Sequence, residues 1–489
     1  ITPDHLGLMY GTNASEAQTK LTGRVHKVFR DEASPPAADS ARVSDHLWEA
    51  VPRQVGVGSL SLEQRAIETL RTARLKQEAA GAVATVDLGA MRRNFRAGLE
   101  KLGEGVTAAA VIKADGYGLG AMRVAKVLLE EGCRDFFVAR ISEAVDLRKS
   151  LRTECPELAD KVAINVLDGN LAGSDPQWLI EHRITPVLNS LEQVQEWNEA
   201  GRAQARPLPA ILQVDSGMNR AGMHEADLQA LLAGRGQYLD HVKLQFIMTH
   251  LANAGEAAPG PDGTLQPGEA TRRQQARFEE ICAHFPGVKA SIGASSTVFL
   301  GKDLHKDMVR VGGTFHGQAP FDADSNPLEQ VMTLHSRIAQ VRELQPSDGI
   351  GYGFKYVADK PMSVATIPIG YADGLPRVGG GNRAGDGPTR AHVLVDGRHK
   401  APLVGATSMD MTTVDVSAVP REALRPGTPV TVVGDGITPD HLGLMYGTNA
   451  SEAQTKLTGR VHKVFRDEAS PPAADSRRAS EHLWSALKP

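Results

Sequence analysis

The chain predicts an α/β protein: a (β/α)8 barrel followed by a C-terminal mainly β domain, with an N-terminal extension. Three observations carry this expectation. Between residues 107 and 313, eight short apolar runs alternate with charged, helix-like stretches, the pattern of parallel strands joined by helices. After about Asn326 the helical spacing fades, and strand-like runs broken by Gly and Pro take over. The first 40 residues fit neither pattern, because they repeat a stretch near the other end of the chain. The expected units are residues 1–81, 82–326 and 327–489.

Residues 1–40 recur without a single change at 437–476, after which the similarity decays, SDHLWEA at 44–50 facing SEHLWSA at 480–486. Stacked structural repeats have short periods and drift in sequence. A recent duplication, or an artefact of the sequence itself, fits this pair better than a solenoid. Only the second copy follows the strands of the C-terminal domain, so the first is expected to add no catalytic group. A proline-rich stretch at Ser34 to Ala38 ends it, and a helix-like segment at 62–81 follows, with Leu62, Ile67, Leu70 and Leu75 as its apolar stripe.

The eight candidate barrel strands are AAAVIK, FFVAR, VAINVL, ITPVL, AILQV, QFIMTH, KASIGAS and VRVGG. In such barrels chemistry collects where strands end. Lys113, His250, Ser296 and Arg310 stand at or near those ends. Beyond Asn326, HSRIAQVREL, SVATIPIGYADG, AHVLVDGRHKAPLVGA, MTTVDVS and TPVTVVGD read as β strands, with a Gly-rich VGGGNRAGDGP at 378–388.

Composition narrows the function class. At 489 residues, 41% hydrophobic and 23% charged, the chain has the make-up of a globular enzyme with room for two domains and an appendage. Its 54 basic against 58 acidic residues give a net charge of −4, which argues against nucleic acid or an anionic membrane as partner. Cys133, Cys155 and Cys282 are too few and too scattered for a disulfide framework or a zinc site, so no metal is expected and a reducing, cytoplasmic setting is. No apolar run approaches the ~18 residues of a membrane span. The chain begins at Ile1, which leaves a removed leader open.

The decapeptide VIKADGYGLG at 111–120 concentrates chemistry. A lysine ending a buried strand can hold an aldehyde cofactor as a Schiff base, and burial lowers its pKa and makes its amine nucleophilic. Gly116, Gly118 and Gly120 let the backbone pass close to something bulky, with Tyr117 offering a phenol. On its own the motif serves equally as a strand, a turn and a surface lysine. Further motifs follow it: VDSGMNRAGM at 214–223, MTHLANAGE at 248–256, GASS at 293–296, VRVGG at 309–313, IPIGYADGLPR at 367–377 and VGATSMDM at 404–411. In this order, from about Ala84 to about Phe465, they resemble the alanine racemase family of fold-type III amino-acid racemases.

The resemblance implies pyridoxal 5'-phosphate as cofactor and a small amino acid as substrate. Racemisation needs an electron sink and a base on each face of Cα. Lys113 would hold the cofactor and act as one base. Tyr371 would be the other, delivered from the partner subunit of a head-to-tail homodimer, with His250 near it to lower the phenol's pKa. Arg310 would face the pyridine nitrogen and, being always protonated, keep that nitrogen unprotonated. Phosphate would fall to Tyr117, Ser296 and the amides of Gly312 and Gly313. The substrate carboxylate would meet Arg220 and the Met409 amide.

Three positions depart from the family. Ser451 stands at its usual pocket tyrosine, which should widen the pocket and admit serine beside alanine. Gln213 replaces a lysine that orients the arginine equivalent to Arg220, and Ile292 replaces a histidine of the phosphate-side network. Competing readings are a barrel-type decarboxylase using the same cofactor, disfavoured by Arg310 and Tyr371, a non-catalytic binder of that cofactor, which would not need the long β region, and a degenerate racemase relative that binds a partner through its duplicated segment.

Overall fold

The computed structural model describes residues 78–260, 264–377 and 391–467. The first copy of the repeat, nearly all of the helix expected at 62–81, and the Gly-rich 378–388 lie outside them.

Strand β1 (Val83–Asp87) precedes the barrel strands β2 (Thr107–Val111), β3 (Asp135–Val138), β4 (Ala163–Val166), β5 (Ile184–Leu188), β6 (Leu208–Gln213) and β7 (Val242–Met248). A short hairpin, β8 (Ala257–Pro259) with β9 (Leu265–Pro267), interrupts the series before β10 (Lys289–Ser291) and β11 (Met308–Val311). All eight barrel strands expected from sequence are present and parallel, in the order β10-β7-β6-β5-β4-β3-β2-β11. A parallel bridge between Gly293 and Val309 joins the two ends of that sheet and closes the ring.

Both faces of these strands are buried, which is why they read as apolar runs rather than alternating ones. In β3, Phe136 and Phe137 are both fully buried. Phe137 points inward with Ala109, Val187, Ile211, Met248 and Met308, filling the barrel. Phe136 points outward into the layer shared with the helices. Side chains thus pack the barrel interior, and the site is left to the strand ends.

The connecting helices start where the sequence supplies caps. Asp87 accepts from the Ala90 amide (2.8 Å) at the head of helix Leu88–Leu99. Ser190 accepts from the Gln193 amide (3.3 Å) at the head of Leu191–Ala203, whose Val194 and Trp197 are buried against the strands. Each such cap contributes roughly 1 kcal/mol.

The β region follows as β12 (Met332–Arg337), β13 (Gln340–Leu344), β14 (Gly349–Ile350), β15 (Tyr356–Val357), β16 (Met362–Ile367), β17 (His392–Val395), β18 (His399–Pro402), β19 (Thr412–Asp415), β20 (Pro429–Val433) and β21 (His462–Arg466). Its main sheet runs β18-β17-β20-β12-β1-β21, and a second joins β13-β16-β19. Strand β1 therefore sits in this sheet, antiparallel to β12 and parallel to β21, although it comes before the barrel in the chain. Periodicity could not show this, because pairing is decided by which edge the folded barrel leaves nearby.

Candidate active site

At the C-terminal ends of the barrel strands lies a cavity of about 470 Å³. Lys113, Tyr117, Arg220 and His250 line it, as do Ser296, Arg310, Gly312 and Gly313. These are the eight barrel residues that the sequence nominates.

Lys113 opens an unusual turn. Ala114, Asp115, Gly116 and Tyr117 all adopt left-handed backbone, with φ of 56°, 56°, 61° and 57°. For a residue bearing a Cβ this costs roughly 1–2 kcal/mol each, so the surroundings must impose it. The Gly116 amide bonds Ile112 O (2.9 Å) and the Gly118 amide bonds Ala114 O (2.8 Å). Asp115 Oδ1 accepts from the Ala121 amide (2.8 Å). From the neighbouring helix Ile141–Glu154, Glu143 Oε1 accepts the Ala114 amide (2.9 Å) while its Oε2 accepts the Ala139 amide (2.8 Å). Glu143 thereby ties the lysine turn to the end of β3. Sequence reading missed it; its one signal was an acid in the first turn of a helix.

Arg310, on β11, is buried. Its Nη2 donates to Thr249 O (2.6 Å), and its Nη1 donates to Ser291 O (3.0 Å) and to Ser291 Oγ. Burial pushes its pKa down to about 10, still well above neutrality, so it carries full positive charge in the cavity. His250 feels burial first and then Arg310, Arg220 and Lys113, which together push it down to about 3. It is a neutral imidazole at physiological pH, able to accept a proton only transiently.

On the opposite wall, burial pushes the Tyr117 phenol up to about 12, which keeps it a donor. Its oxygen lies over Gly312, where an added Cβ would come within 2.6 Å of it. A Cβ on Gly313 would meet Gln318 Oε1 at 2.9 Å. The Gly312 amide, expected to aim at a phosphate, donates to Ser295 Oγ (2.9 Å), and Ser296 Oγ donates to Pro320 O (2.8 Å). Both serines of GASS therefore organise this wall, and Ser295 escaped the sequence reading because either serine matches the motif. His316 stacks on Tyr117 with ring centroids 4.5 Å apart and bridges Gly312 O (2.9 Å) and Gly116 O (3.0 Å).

Arg220 sits in the loop after β6. Asp215 Oδ1 gathers the amides of Gly217 (2.8 Å) and Met218 (2.9 Å). Gln213 Nε2 donates to Ala221 O (3.1 Å), so this glutamine steadies the backbone beside Arg220. Ser451 lines the cavity and donates to Gln318 Oε1 (2.8 Å). Ile292 is fully buried in the apolar core.

Neither Tyr371 nor Met409 lines this cavity. Both belong to the loop pair beyond β16 and before β19, where the Tyr371 amide bonds Ser408 O (3.0 Å) and the Ala372 amide bonds Met409 O (3.0 Å). The two chains pass so closely that a Cβ on Gly370 would be 2.3 Å from Met409 O. The sequence-nominated set thus falls into two groups, eight residues in the barrel mouth and two on the β region.

The barrel group fits pyridoxal phosphate. A lysine lies at the rim, a neutral phenol donor covers Gly312 with no room for a Cβ, and a charged guanidinium held by carbonyl and hydroxyl oxygens lies within. Among the described residues no cluster of His, Cys, Asp or Glu could hold a metal ion.

Residues 86–320 match the family described as alanine racemase, N-terminal domain, and residues 331–465 match alanine racemase, C-terminal domain. The chain is 38% identical over 391 residues to a catabolic alanine racemase of Mesorhizobium japonicum, covering 80% of this chain and 95% of that protein. It is also 38% identical over 388 residues to an alanine racemase of a Methylobacterium species, covering 79% and 98%. Among solved structures, alanine racemase from Bartonella henselae with covalently bound pyridoxal phosphate superposes with a TM-score of 0.70 at 30% identity, covering 79% of this chain and 99% of that one. Near-complete coverage of these proteins, with the two domains in the same order, means that the chain belongs to the alanine racemase family.

Proposed function

We propose that the protein interconverts L- and D-alanine with pyridoxal 5'-phosphate, through two bases contributed by two subunits of a homodimer. The observation that carries this reading is Arg310, a buried guanidinium kept charged in the cavity that Lys113 lines. A positive charge there opposes protonation of a pyridine nitrogen, whereas decarboxylation or transamination is favoured by an acid in that place.

Lys113, Tyr117, Ser296, Arg310, Gly312 and Gly313 would hold the cofactor, with His250 beside them. When bound, it supplies an electron sink that acidifies the substrate Cα–H. Arg220 would orient the substrate carboxylate through its planar fork. Lys113 Nζ takes or returns the Cα proton on one face, and the Tyr371 phenolic oxygen does so on the other. His250, held neutral by burial first and then by the cations around it, can relay a proton between the cavity and these groups.

Support for the dimer comes from the surface around Tyr371. Met409 and Met411 are exposed at 40% and 51%, and Tyr352 and Phe354, just after Ile350 against which Gly405 packs, at 73% and 65%. Such an apolar patch beside half of a catalytic set fits a second copy of the chain, whose Tyr371 and Met409 would complete the cavity. The working unit would be the barrel of 82–326 with the β region of 327–489, and a cytoplasmic location is in keeping with scattered free cysteines. Among the described residues no helix is long and apolar enough to cross a membrane.

A visible absorption band lost in Lys113→Ala, together with racemisation of L-alanine followed by circular dichroism, tests the reading; absence of both would end it. Serine should also be accepted, because Ser451 leaves the wall open. Strict alanine preference in kcat/KM across alanine, serine and a longer amino acid would refute that part alone.

A further inference from the structure

His316 holds a geometry that a neutral imidazole cannot satisfy. Its ring is fully buried, with Nδ1 2.9 Å from Gly312 O and Nε2 3.0 Å from Gly116 O. A neutral ring has one N–H, and only the imidazolium donates from both nitrogens. Phe315 and Tyr117 clasp the ring, their centroids 4.4 and 4.5 Å from its own, so both contacts are held in place. Burial pushes the ring down to about 4 in the cofactor-free protein. At neutral pH one of the two carbonyls therefore faces a nitrogen lone pair. Lys113 and Asp115 on the lysine turn, Arg310 on β11 and Asp440 of helix Pro439–Met445, which accepts the Ala319 amide, stand on elements around it, but none of them acts on the ring's proton.

The Gly312 carbonyl and the Gly313 amide are the two ends of one peptide group. Gly313 lines the cavity, and its amide makes no hydrogen bond among the described residues, whereas the Gly312 amide is committed to Ser295 Oγ. Gly313 thus offers a spare backbone donor to an anion on this wall, with His316 at the other end of the same peptide. We propose that His316 takes up a second proton when a phosphate dianion binds at Gly313, so that cofactor binding and protonation of this imidazole are one coupled event. The inference rests on the cofactor being pyridoxal phosphate, as proposed above. The proton comes from solvent and goes to the ring nitrogen that lacks one, and no other bond forms or breaks. An N–H donated by a cation polarises the Gly312–Gly313 peptide and strengthens its amide as a donor to the anion. The dianion in turn favours the charged ring, and both carbonyls then have a proton to accept.

Calorimetry on the full-length, cofactor-free chain counts that proton without reading activity. Pyridoxal phosphate is titrated in at neutral pH in two buffers of unlike ionisation enthalpy, neither a primary amine nor a phosphate, and the difference in heat gives the protons taken up per site. The wild type should take up at least about half a proton more than His316→Gln, whose amide cannot ionise. Within the wild type alone, the same excess should separate pyridoxal phosphate from saturating pyridoxal, which lacks the phosphate, and this comparison stands even where His316→Gln fails to fold. Equal proton counts for the two compounds, or for the wild type and a folded variant, would overturn the inference while leaving the cofactor assignment intact. A wild-type chain that binds neither compound would remove that assignment, and this inference with it.

Discussion

At the scale of single residues the site depends on contacts that leave no room for substitution. Gly312 lies beneath the Tyr117 oxygen, with space for hydrogen but not for carbon. Gly312→Ala should weaken cofactor binding tenfold or more while shifting Tm by only a few degrees, measured by titrating the visible band. Glu143 is the complement to this, a residue outside the cavity that fixes the lysine turn through the Ala114 amide. Glu143→Ala leaves backbone donors without their acceptor, at about 1–3 kcal/mol. It should lower kcat and cofactor retention together, read by stopped-flow racemisation and dialysis. Lys113, Tyr117 and Arg310 were legible in sequence because their residue types and glycine spacing imply chemistry. Glu143, Ser295 and His316 were not, since their roles come from what the fold brings beside them.

At the scale of elements, the left-handed turn at 114–117 and the buried Arg148 show how the barrel's connections are made rigid. Arg148, on helix Ile141–Glu154, donates to the carbonyls of Val162 (3.0 Å), His182 (2.9 Å), Arg183 (2.9 Å) and Ala159. It gathers the ends of three segments around one guanidinium, whose pKa burial pushes down to about 10. Arg148→Leu should cost about 3 kcal/mol or more by stranding those carbonyls. Tm should fall by several degrees while kcat of the folded fraction is unchanged. The strands themselves were readable as apolar runs. The turn was not, because glycine spacing marks where the backbone can bend and says nothing of Ala114, Asp115 and Tyr117 sharing its left-handed form.

At the scale of the whole molecule, the division of the site between barrel and β region makes activity a property of the pair. Mixing Lys113→Ala chains with Tyr371→Phe chains should restore about a quarter of wild-type sites if subunits exchange randomly, and no recovery would place both bases in one subunit. Stability should also depend on pH through buried imidazoles. His335 is held at about 4 and His305 is lowered as well, burial being the first cause in both. In the unfolded chain each titrates near 6.5. The stabilisation from His335 is complete above 6.5 and is lost as pH falls toward 4, because the unfolded state then binds more protons. Denaturation by urea should show stability dropping by up to about 1.4 kcal/mol per pH unit through His335 in that window, with His305 adding a loss of the same sign, and a flat profile would refute it.

The sequence by itself determined the barrel, the β region after it and the barrel-mouth residues, because apolar period, glycine placement and chemically committed side chains are local properties. Only the tertiary structure decided that β1 joins the C-terminal sheet, that β21 of the repeated segment forms its edge, and that Tyr371 and Met409 lie apart from the cavity of their own chain. Those outcomes depend on which edges and surfaces meet once the barrel has closed, and contacts between distant segments have no signature in local pattern.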